Sequence, residues 1–206
     1  MKIKLYSNNP NYSTIDEIVN CIDNGGIIIY PTSTGYAYGC HALQLRAIER
    51  ICEIKKINVK KKSLSIMFAN IRDISEYCKM NDKVFKFIKD HADGNYTFIL
   101  PSASTLPKIF KNRKEVGVRL AQHPISKIIL EELGIPLITS SILYDEDEPE
   151  YAKNPSLIEE KYSNDVDLIV DGGEVDLSPS TIIDCTKDPF EIIRYGSGRI
   201  DENEII

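Results

Sequence analysis

Apolar residues recur along the chain at two spacings, and these spacings predict where helices and strands form. Between residues 14 and 24 the apolar positions lie three or four residues apart, which is typical of a helix. Thr14 and Glu17 form its capping box, and Gly25-Gly26 ends it. The continuous apolar run at 27–30 then predicts a buried strand. The same criteria predict further helices at 43–56, 71–78, 82–90, 124–133 and 155–161, and further strands at 64–68, 95–100, 116–120, 136–141, 167–170, 180–184 and 190–194.

These elements mix without strict alternation, and no internal repeat or interdomain linker interrupts them. The order therefore predicts an α/β fold with a single domain over residues 1–206. We expect a twisted, mixed β-sheet with flanking helices rather than a regular doubly wound sheet. The chain has 206 residues, of which 42% are apolar, and this is enough for one large core.

Charge and cysteine content argue against disulfide-rich, metal-binding and strongly nucleic-acid-binding classes of protein. The five cysteines include no CxxC pair and the three histidines show no metal-ligand spacing, so we expect neither a disulfide framework nor a metal site. The net charge of −6 argues against a surface devoted to nucleic acid. Five lysines nevertheless cluster within eight positions: Lys55, Lys56, Lys60, Lys61 and Lys62. Either a solvated loop or a phosphate-binding patch would explain this cluster.

Neither a membrane span nor a secretory signal is expected from the sequence. No run approaches the roughly 18 consecutive apolar residues of a membrane span, and the N-terminus is polar by residue 7. We therefore expect a cytoplasmic protein without a membrane partner.

The segment at 30–40 is the strongest candidate for chemistry. The sequence contains no GxxxxGK[ST] loop and no GxGxxG after a strand, so a nucleotide site must be assembled from side chains and scattered loop amides. This segment follows the strand at 27–30 and includes three hydroxyl residues, Thr32, Ser33 and Thr34. Because α/β proteins place ligands at loops after strands, it predicts a loop that binds carboxylate or phosphate oxygens. A turn whose hydroxyls bond their own backbone is an equally good interpretation.

The motif Pro31-Thr32-x-Thr34-x-Tyr36-x-x-Gly39 resembles the PTETxYGLG signature of the YrdC family of threonylcarbamoyl-AMP synthases. The resemblance continues in order over about residues 13–198, and the residues in these segments are most similar to those of the YciO branch. The segments that carry it downstream are Gly94-Asn95-Tyr96-Thr97-Phe98, Val116-Gly117-Val118-Arg119, residues 134–141, Asp171-Gly172-Gly173, Ser180-Thr181-Ile182-Ile183-Asp184 and Arg194-Tyr195-Gly196.

This resemblance implies a YrdC-like fold and a reaction. Members of the family convert L-threonine, bicarbonate and ATP into threonylcarbamoyl-AMP and pyrophosphate, for tRNA modification. It implies that ATP is a substrate with Mg²⁺ on its phosphates. The expected macromolecular partners are tRNA or double-stranded RNA, and proteins of tRNA modification. The positions that match the family's threonine site are Thr32, Arg119 and Ser180, those that match its nucleotide site are Lys55, Ser141 and Arg194, and the candidate RNA contacts are Lys56, Lys60, Lys61 and Lys62.

Four positions depart from the family pattern: Ser33, Ile57, Met67 and Leu143 replace an acidic residue, an arginine, a histidine and an asparagine. Three hypotheses therefore stay open. The first is a threonylcarbamoyl-AMP synthase with an altered site. The second is an RNA-binding accessory protein of the same fold. The third is carbamoyl or adenylate chemistry on another small substrate.

Overall fold

The computed structural model describes residues 1–57, 64–106, 110, 114–142, 147–201 and 205. Within these ranges ten strands form one mixed sheet in the order β1-β8-β2-β3-β7-β4-β6-β5-β9-β10, which confirms the predicted fold class. The strands are β1 Lys2–Lys4, β2 Ile28–Thr32, β3 Gly35–His41, β4 Ser65–Phe68, β5 Tyr96–Pro101, β6 Glu115–Leu120, β7 Leu137–Ser141, β8 Leu168–Asp171, β9 Thr181–Asp184 and β10 Glu191–Arg194. The α-helices are α1 Tyr12–Asp23, α2 Leu45–Ile54, α3 Ile74–Tyr77, α4 Asp82–Asp90, α5 Pro124–Leu133 and α6 Pro155–Tyr162.

Local capping explains where the helices begin and end. Helix α4 begins after Asn81, whose side chain accepts a hydrogen bond from Val84 N at 2.9 Å. Helix α5 begins with Pro124 and ends before Gly134, which has a left-handed φ of 70°. Both helices have the predicted bounds. The predicted capping box of the first helix is wrong, because Asn11 caps α1 and the helix starts ahead of Thr14.

Two other predicted elements differ from the structure. Residues 71–78 are not one helix: a short 3₁₀ turn at Ile71–Asp73 leads directly into the single turn of α3. Residues 30–40 are not a loop, because β2 and β3 form a tight antiparallel hairpin in which Thr32 pairs with Gly35. Only Ser33 and Thr34 lie in the turn, and Gly35 allows it with a φ of 119°. Strands β1 and β3 were not predicted.

Helices cover the two faces of the sheet unequally. On one face α2, α4 and α6 pack their buried residues into a large core with the apolar side chains of β3 to β6. On the other face α1 and α5 pack on each other and on β2, β3 and β8. The helices of this second face thus cover the end of the sheet that contains β8, β2 and β3. No helix in the described ranges is long and apolar enough to cross a membrane.

Candidate active site

The part of the second face that the described helices leave uncovered is lined by small and polar side chains together with two isoleucines. In β6, Val116 and Val118 point into the large core, so Gly117 and Arg119 point the other way. The same alternation applies in the neighbouring strands, where Ser65 pairs with Gly117 on one side and Ile99 pairs with it on the other. We call this surface the open face and define it by Ser65, Thr97, Ile99, Gly117, Arg119, Thr139 and Ile182.

Two adjoining cavities lie over the open face. The larger, of about 320 Å³, is lined by the whole open face together with the residues around its rim, which include Leu64, Glu115 and Ile193. The smaller, of about 200 Å³, lies toward the β2–β3 turn and is lined by Thr34, Tyr36 and residues 177–179 among others. We call them the large chamber and the small chamber. They share four residues, the shared wall: Arg119, Ser141, Ser180 and Arg194.

Arg119 is the buried arginine of the shared wall. Its side chain is buried, and its Nη2 donates a hydrogen bond to Thr34 Oγ1 at 2.8 Å. Its Nε is buried without a hydrogen-bond partner among the described residues. Burial lowers the pKa of Arg119, the nearby Tyr30 opposes that shift, and the positive charge of Arg194 adds to it. A buried guanidinium with an unused donor beside a second cation is a site for an anion.

Arg194 is fixed against the opposite side of the shared wall. Its Nη2 and Nε donate to the backbone oxygen of Ser180 at 2.7 and 3.2 Å. The hydroxyl of Ser180 lies 2.8 Å from Thr97 Oγ1, so Arg194, Ser180 and Thr97 form one connected group. Among the described residues, neither Arg119 nor Arg194 is in an ion pair with a carboxylate. The positive charge of the cleft is therefore available to a ligand.

The predicted site residues thus fall into two groups. Four of them, Arg119, Ser180, Ser141 and Arg194, meet at the shared wall. Lys55 and Thr32 lie behind it and line neither chamber. Lys55, at the end of α2, is buried and donates a hydrogen bond to the backbone oxygen of Ser141, and burial lowers its pKa to about 8. The Thr32 hydroxyl donates to Gly35 O at 2.6 Å and accepts from Thr34 N at 3.2 Å, so it supports the hairpin turn.

Of the four candidate RNA contacts, the structure describes only Lys56. Lys56 is exposed at the end of α2, whereas Lys60, Lys61 and Lys62 lie outside the described residues. RNA binding therefore stays a prediction. Of the four departures, Leu143 also lies outside the described residues. The structure describes the other three. Ser33 lies in the hairpin turn, Ile57 packs against the large core, and the Met67 sulfur lies 3.4 Å from the buried Tyr30 hydroxyl.

Sequence reasoning did not assign several residues of the open face and of the small chamber to the site. Thr34, rather than Thr32, contacts Arg119 and lines the small chamber. Thr97 and Ser65 are strand residues, and neither hydroxyl by itself indicates a binding site in the sequence. Gly117 leaves the base of the large chamber without a side chain. A Cβ at this position would lie 2.8 Å from Ser65 Oγ and 3.1 Å from Thr97 Cγ2, so the site has no room for a larger residue unless these neighbours shift. The alternation of side chains along each strand could have revealed these residues, because the small and polar positions alternate with buried apolar positions.

The chain's own side chains do not form a metal centre in the part that the structure describes. No group of three or more histidine, cysteine or carboxylate side chains there could hold a metal ion. The shared wall offers guanidinium and hydroxyl groups, which suit an anion rather than a cation. A divalent ion at this site would have to arrive with the phosphates of a nucleotide.

The Sua5/YciO/YrdC family model, described as telomere recombination, matches residues 20–196. The uncharacterized protein YciO of Escherichia coli is 32% identical over 198 residues, or 95% of each chain. The crystal structure of that YciO superposes with a TM-score of 0.89 over 100% of this chain and 99% of its own. The threonylcarbamoyl-AMP synthase of Coxiella burnetii is 25% identical over 77% of this chain and 85% of its own.

A further solved structure, P. abyssi Sua5 complexed with L-threonine, has a TM-score of 0.83 at 23% identity. The match covers 95% of this chain and 57% of the Sua5 chain, and at this identity it shows the shared fold alone. The family model spans most of the chain, and the YciO match spans nearly all of it. The chain belongs to the Sua5/YciO/YrdC family.

Proposed function

We propose that this chain is a nucleotidyltransferase of the threonylcarbamoyl-AMP synthase type, using L-threonine, bicarbonate and ATP for the modification of tRNA. The observation that supports it best is the shared wall. Two arginines without a carboxylate partner in the described structure stand between two chambers. A reaction that joins an amino-acid carbamate to a nucleotide phosphate needs cations at such a junction. Relatives named threonylcarbamoyl-AMP synthase and putative threonylcarbamoyl-AMP synthase support the proposed product.

The two chambers suit the two organic substrates by size and lining. The small chamber of about 200 Å³ suits a single amino acid, and it contains Thr34 and Tyr36 beside the Arg119 fork. The large chamber of about 320 Å³ has more room and a partly apolar lining, which suits a nucleoside phosphate. In this proposal Arg119 binds the threonine carboxylate with two parallel hydrogen bonds, as a planar guanidinium does well. Ser180 contacts threonine, and Arg194, with Ser141, lies toward the phosphates.

The proposed reaction has two balanced steps. The neutral amine of threonine and bicarbonate form a carbamate and water. A carbamate oxygen then attacks the α-phosphorus of ATP, the bond from that phosphorus to the bridging oxygen breaks, and pyrophosphate leaves. Negative charge rises on the phosphoryl oxygens during this step, and the fixed guanidinium groups of the shared wall can stabilise it. Lys55 holds the Ser141 end of β7 through the backbone oxygen. Mg²⁺ would accompany the triphosphate.

The direct test is pyrophosphate release by the purified wild-type protein. Complete mixtures with ATP, bicarbonate and L-threonine are compared with mixtures that lack one component, and threonine is exchanged for each of a panel of amino acids. The proposal expects release that requires all three components and is fastest with L-threonine. Release that requires a different amino acid would favour chemistry on another small substrate.

A folded protein that releases no pyrophosphate in any mixture would overturn the synthase proposal. The alternative function would then be RNA binding by the same fold, which electrophoretic retention of tRNA and of double-stranded RNA measures. Because binding to phosphates through lysines is mostly electrostatic, that retention should fall steeply as the salt concentration rises.

A further inference from the structure

The side chain of Tyr30 reaches from the covered half of the second face to the large chamber. Tyr30 lies on β2 and is fully buried in the core that α1 and α5 cover. Its ring lies against Gly39 of β3, where an added Cβ would be only 2.6 Å from Tyr30 Cε1. Gly39 pairs with Thr139 of β7, and the Tyr30 hydroxyl lies 2.9 Å from Thr139 Oγ1. Because Gly39 has no side chain, Tyr30 can cross β3 and contact a residue of the open face.

The direction of this hydrogen bond follows from the acceptors around the phenol. The Tyr30 hydroxyl has one hydrogen and two neighbours within reach, Thr139 Oγ1 at 2.9 Å and the Met67 sulfur at 3.4 Å. A thioether is a weak acceptor, so the hydrogen is donated to the hydroxyl oxygen. Burial raises the pKa of Tyr30 to about 12, so the phenol keeps its hydrogen at neutral pH. Tyr30 is therefore the donor of this bond and Thr139 is the acceptor.

Because Thr139 accepts this bond, its own hydroxyl hydrogen must be donated elsewhere. Thr139 is buried and lines the large chamber, and its side chain has no other hydrogen-bond partner among the described residues. A hydroxyl carries one donor hydrogen, so Thr139 offers that hydrogen to an acceptor atom in the chamber. Arg119 lines the same chamber, and its buried Nε also has no partner within the described ranges. These two donors match the oxygens of an anionic ligand.

We propose that Tyr30 is a positioning residue of the candidate active site, which acts through Thr139. The Tyr30 hydroxyl holds the Thr139 hydroxyl as a donor, and Thr139 donates to a carboxylate or phosphate oxygen of the ligand in the large chamber. Since each hydrogen bond in such a chain polarises the next, Tyr30 also strengthens the contact between Thr139 and the ligand. The inference rests on the proposed function only for the two anions, L-threonine and ATP, that supply such oxygens.

The test is a double-mutant cycle in which ATP with Mg²⁺ and L-threonine are titrated separately into each protein by calorimetry. Thr139→Val keeps the branched shape and removes the donor, so it should weaken one ligand about tenfold, the value of one hydrogen bond to a charged group. Tyr30→Phe keeps the buried ring and removes the hydroxyl, and it should weaken the same ligand about threefold. In the Thr139→Val background, Tyr30→Phe should cause no further loss, because the residue through which it acts is already gone.

Two further variants complete the cycle. Thr139→Ser keeps the hydroxyl and should bind both ligands within about twofold of wild type. Tyr12→Phe, at an exposed position of α1, is the matched control for loss of a phenol and should bind as wild type does. Thermal melts establish that each protein is folded, and Thr139→Ala takes the place of Thr139→Val if the valine variant does not fold.

The ligand whose affinity falls supplies the oxygen: weaker L-threonine binding identifies the carboxylate, and weaker ATP binding identifies a phosphate. Unchanged affinities in folded Tyr30→Phe, or a wild type that binds neither ligand, would overturn the inference. An equal loss from Tyr30→Phe with and without the Thr139 hydroxyl would also overturn it, because Tyr30 would then act on the structure alone. Equal weakening of both ligands would do the same, since it indicates a change in the whole cleft.

These outcomes are separate from the proposed function. A cycle with the expected result in a protein that releases no pyrophosphate would keep Tyr30 in its role and remove the synthase proposal.

Discussion

The two halves of the second sheet face differ in what covers them and in the side chains they present. Where α1 and α5 pack, the strands present apolar or aromatic residues such as Ile28, Tyr30 and Leu168, all fully or nearly fully buried. On the open face the same alternation presents Thr97, Gly117 and Arg119 and their neighbours. One sheet thus serves as core at one end and as a candidate binding surface at the other.

The border between the halves shows how the covered half supports the open one. Tyr30 belongs to the core under the helices, yet its hydroxyl donates to Thr139 Oγ1 at 2.9 Å on the open face. Arg119 reaches from the open face to Thr34 in the turn of the β2–β3 hairpin. The difference teaches that apolar burial stabilises the covered half of the fold, while the polar side chains of the open face line the chambers where a ligand can bind. Substitutions in the two halves should therefore have separable effects.

The largest expected effect lies in the covered half. Ile129 of α5 is fully buried against β2 and α1, so Ile129→Ala removes apolar contacts and leaves a cavity. The free energy of unfolding should fall by about 2–5 kcal/mol. Denaturant unfolding measures it, and ATP affinity of the remaining folded protein should be unchanged. Unaltered stability would show that α5 does not anchor this half.

Lys55 should make stability depend on pH. Its folded pKa is about 8 against an ordinary 10.5, so between these values the unfolded chain holds a proton that the folded chain has released. The free energy of unfolding due to Lys55 therefore rises with pH in this window, by up to about 2 kcal/mol from pH 8 to about 9.5. Relative to Lys55→Met, wild type should gain this much in denaturant unfolding at the two pH values. A constant difference would contradict the lowered pKa.

Filling the floor of the open face should weaken nucleotide binding. In Gly117→Val the new side chain would meet Ser65 and Thr97 and occupy the large chamber. ATP affinity should fall at least about tenfold, equal to about 1.4 kcal/mol. Calorimetry measures the affinity, and thermal melts establish that the variant is folded. Gly117→Ala, which adds a single methyl group, should lose less, and equal affinity in all three proteins would place ATP elsewhere.

The smallest expected effects concern the hairpin turn. Thr32→Ala removes the hydroxyl that bonds Gly35 O and Thr34 N, and should lower the free energy of unfolding by about 0.5–1.5 kcal/mol. Thr34→Val instead removes the acceptor of Arg119 and should mainly raise the KM for threonine. Comparing the unfolding free energies and the kinetics of the two variants distinguishes a residue that stabilises the hairpin turn from one that contacts the substrate site. A larger kinetic effect for Thr32→Ala would show that Thr32 itself touches the substrate.

The sequence predicted those features of the fold that depend on residues near one another in the chain. The bounds of α4 and α5 follow from Asn81, Pro124 and Gly134, which act within a few residues. Strand β3 was missed because its glycines and tyrosines resemble a loop, and its pairing with β2 and β7 stabilises it instead.

The candidate site divides in the same way. Arg119, Ser141, Ser180 and Arg194 were predicted from motifs, whereas Ser65, Thr97 and Gly117 become neighbours only through the sheet order β4-β6-β5. That order depends on long-range pairing, which hydrophobic periodicity does not contain.

The most direct measurement is threonine- and bicarbonate-dependent pyrophosphate release by wild type, Arg119→Lys and Arg50→Lys. Lysine keeps the charge of Arg119 but loses the guanidinium fork. Arg50 forms an exposed ion pair with Asp167 and lines neither chamber. With thermal melts showing all three proteins folded, Arg119→Lys should lower kcat/KM for threonine about 100-fold or more, and Arg50→Lys should match wild type. Equal activity of Arg119→Lys and wild type, or wild-type release that ignores threonine, would contradict the role of the shared wall.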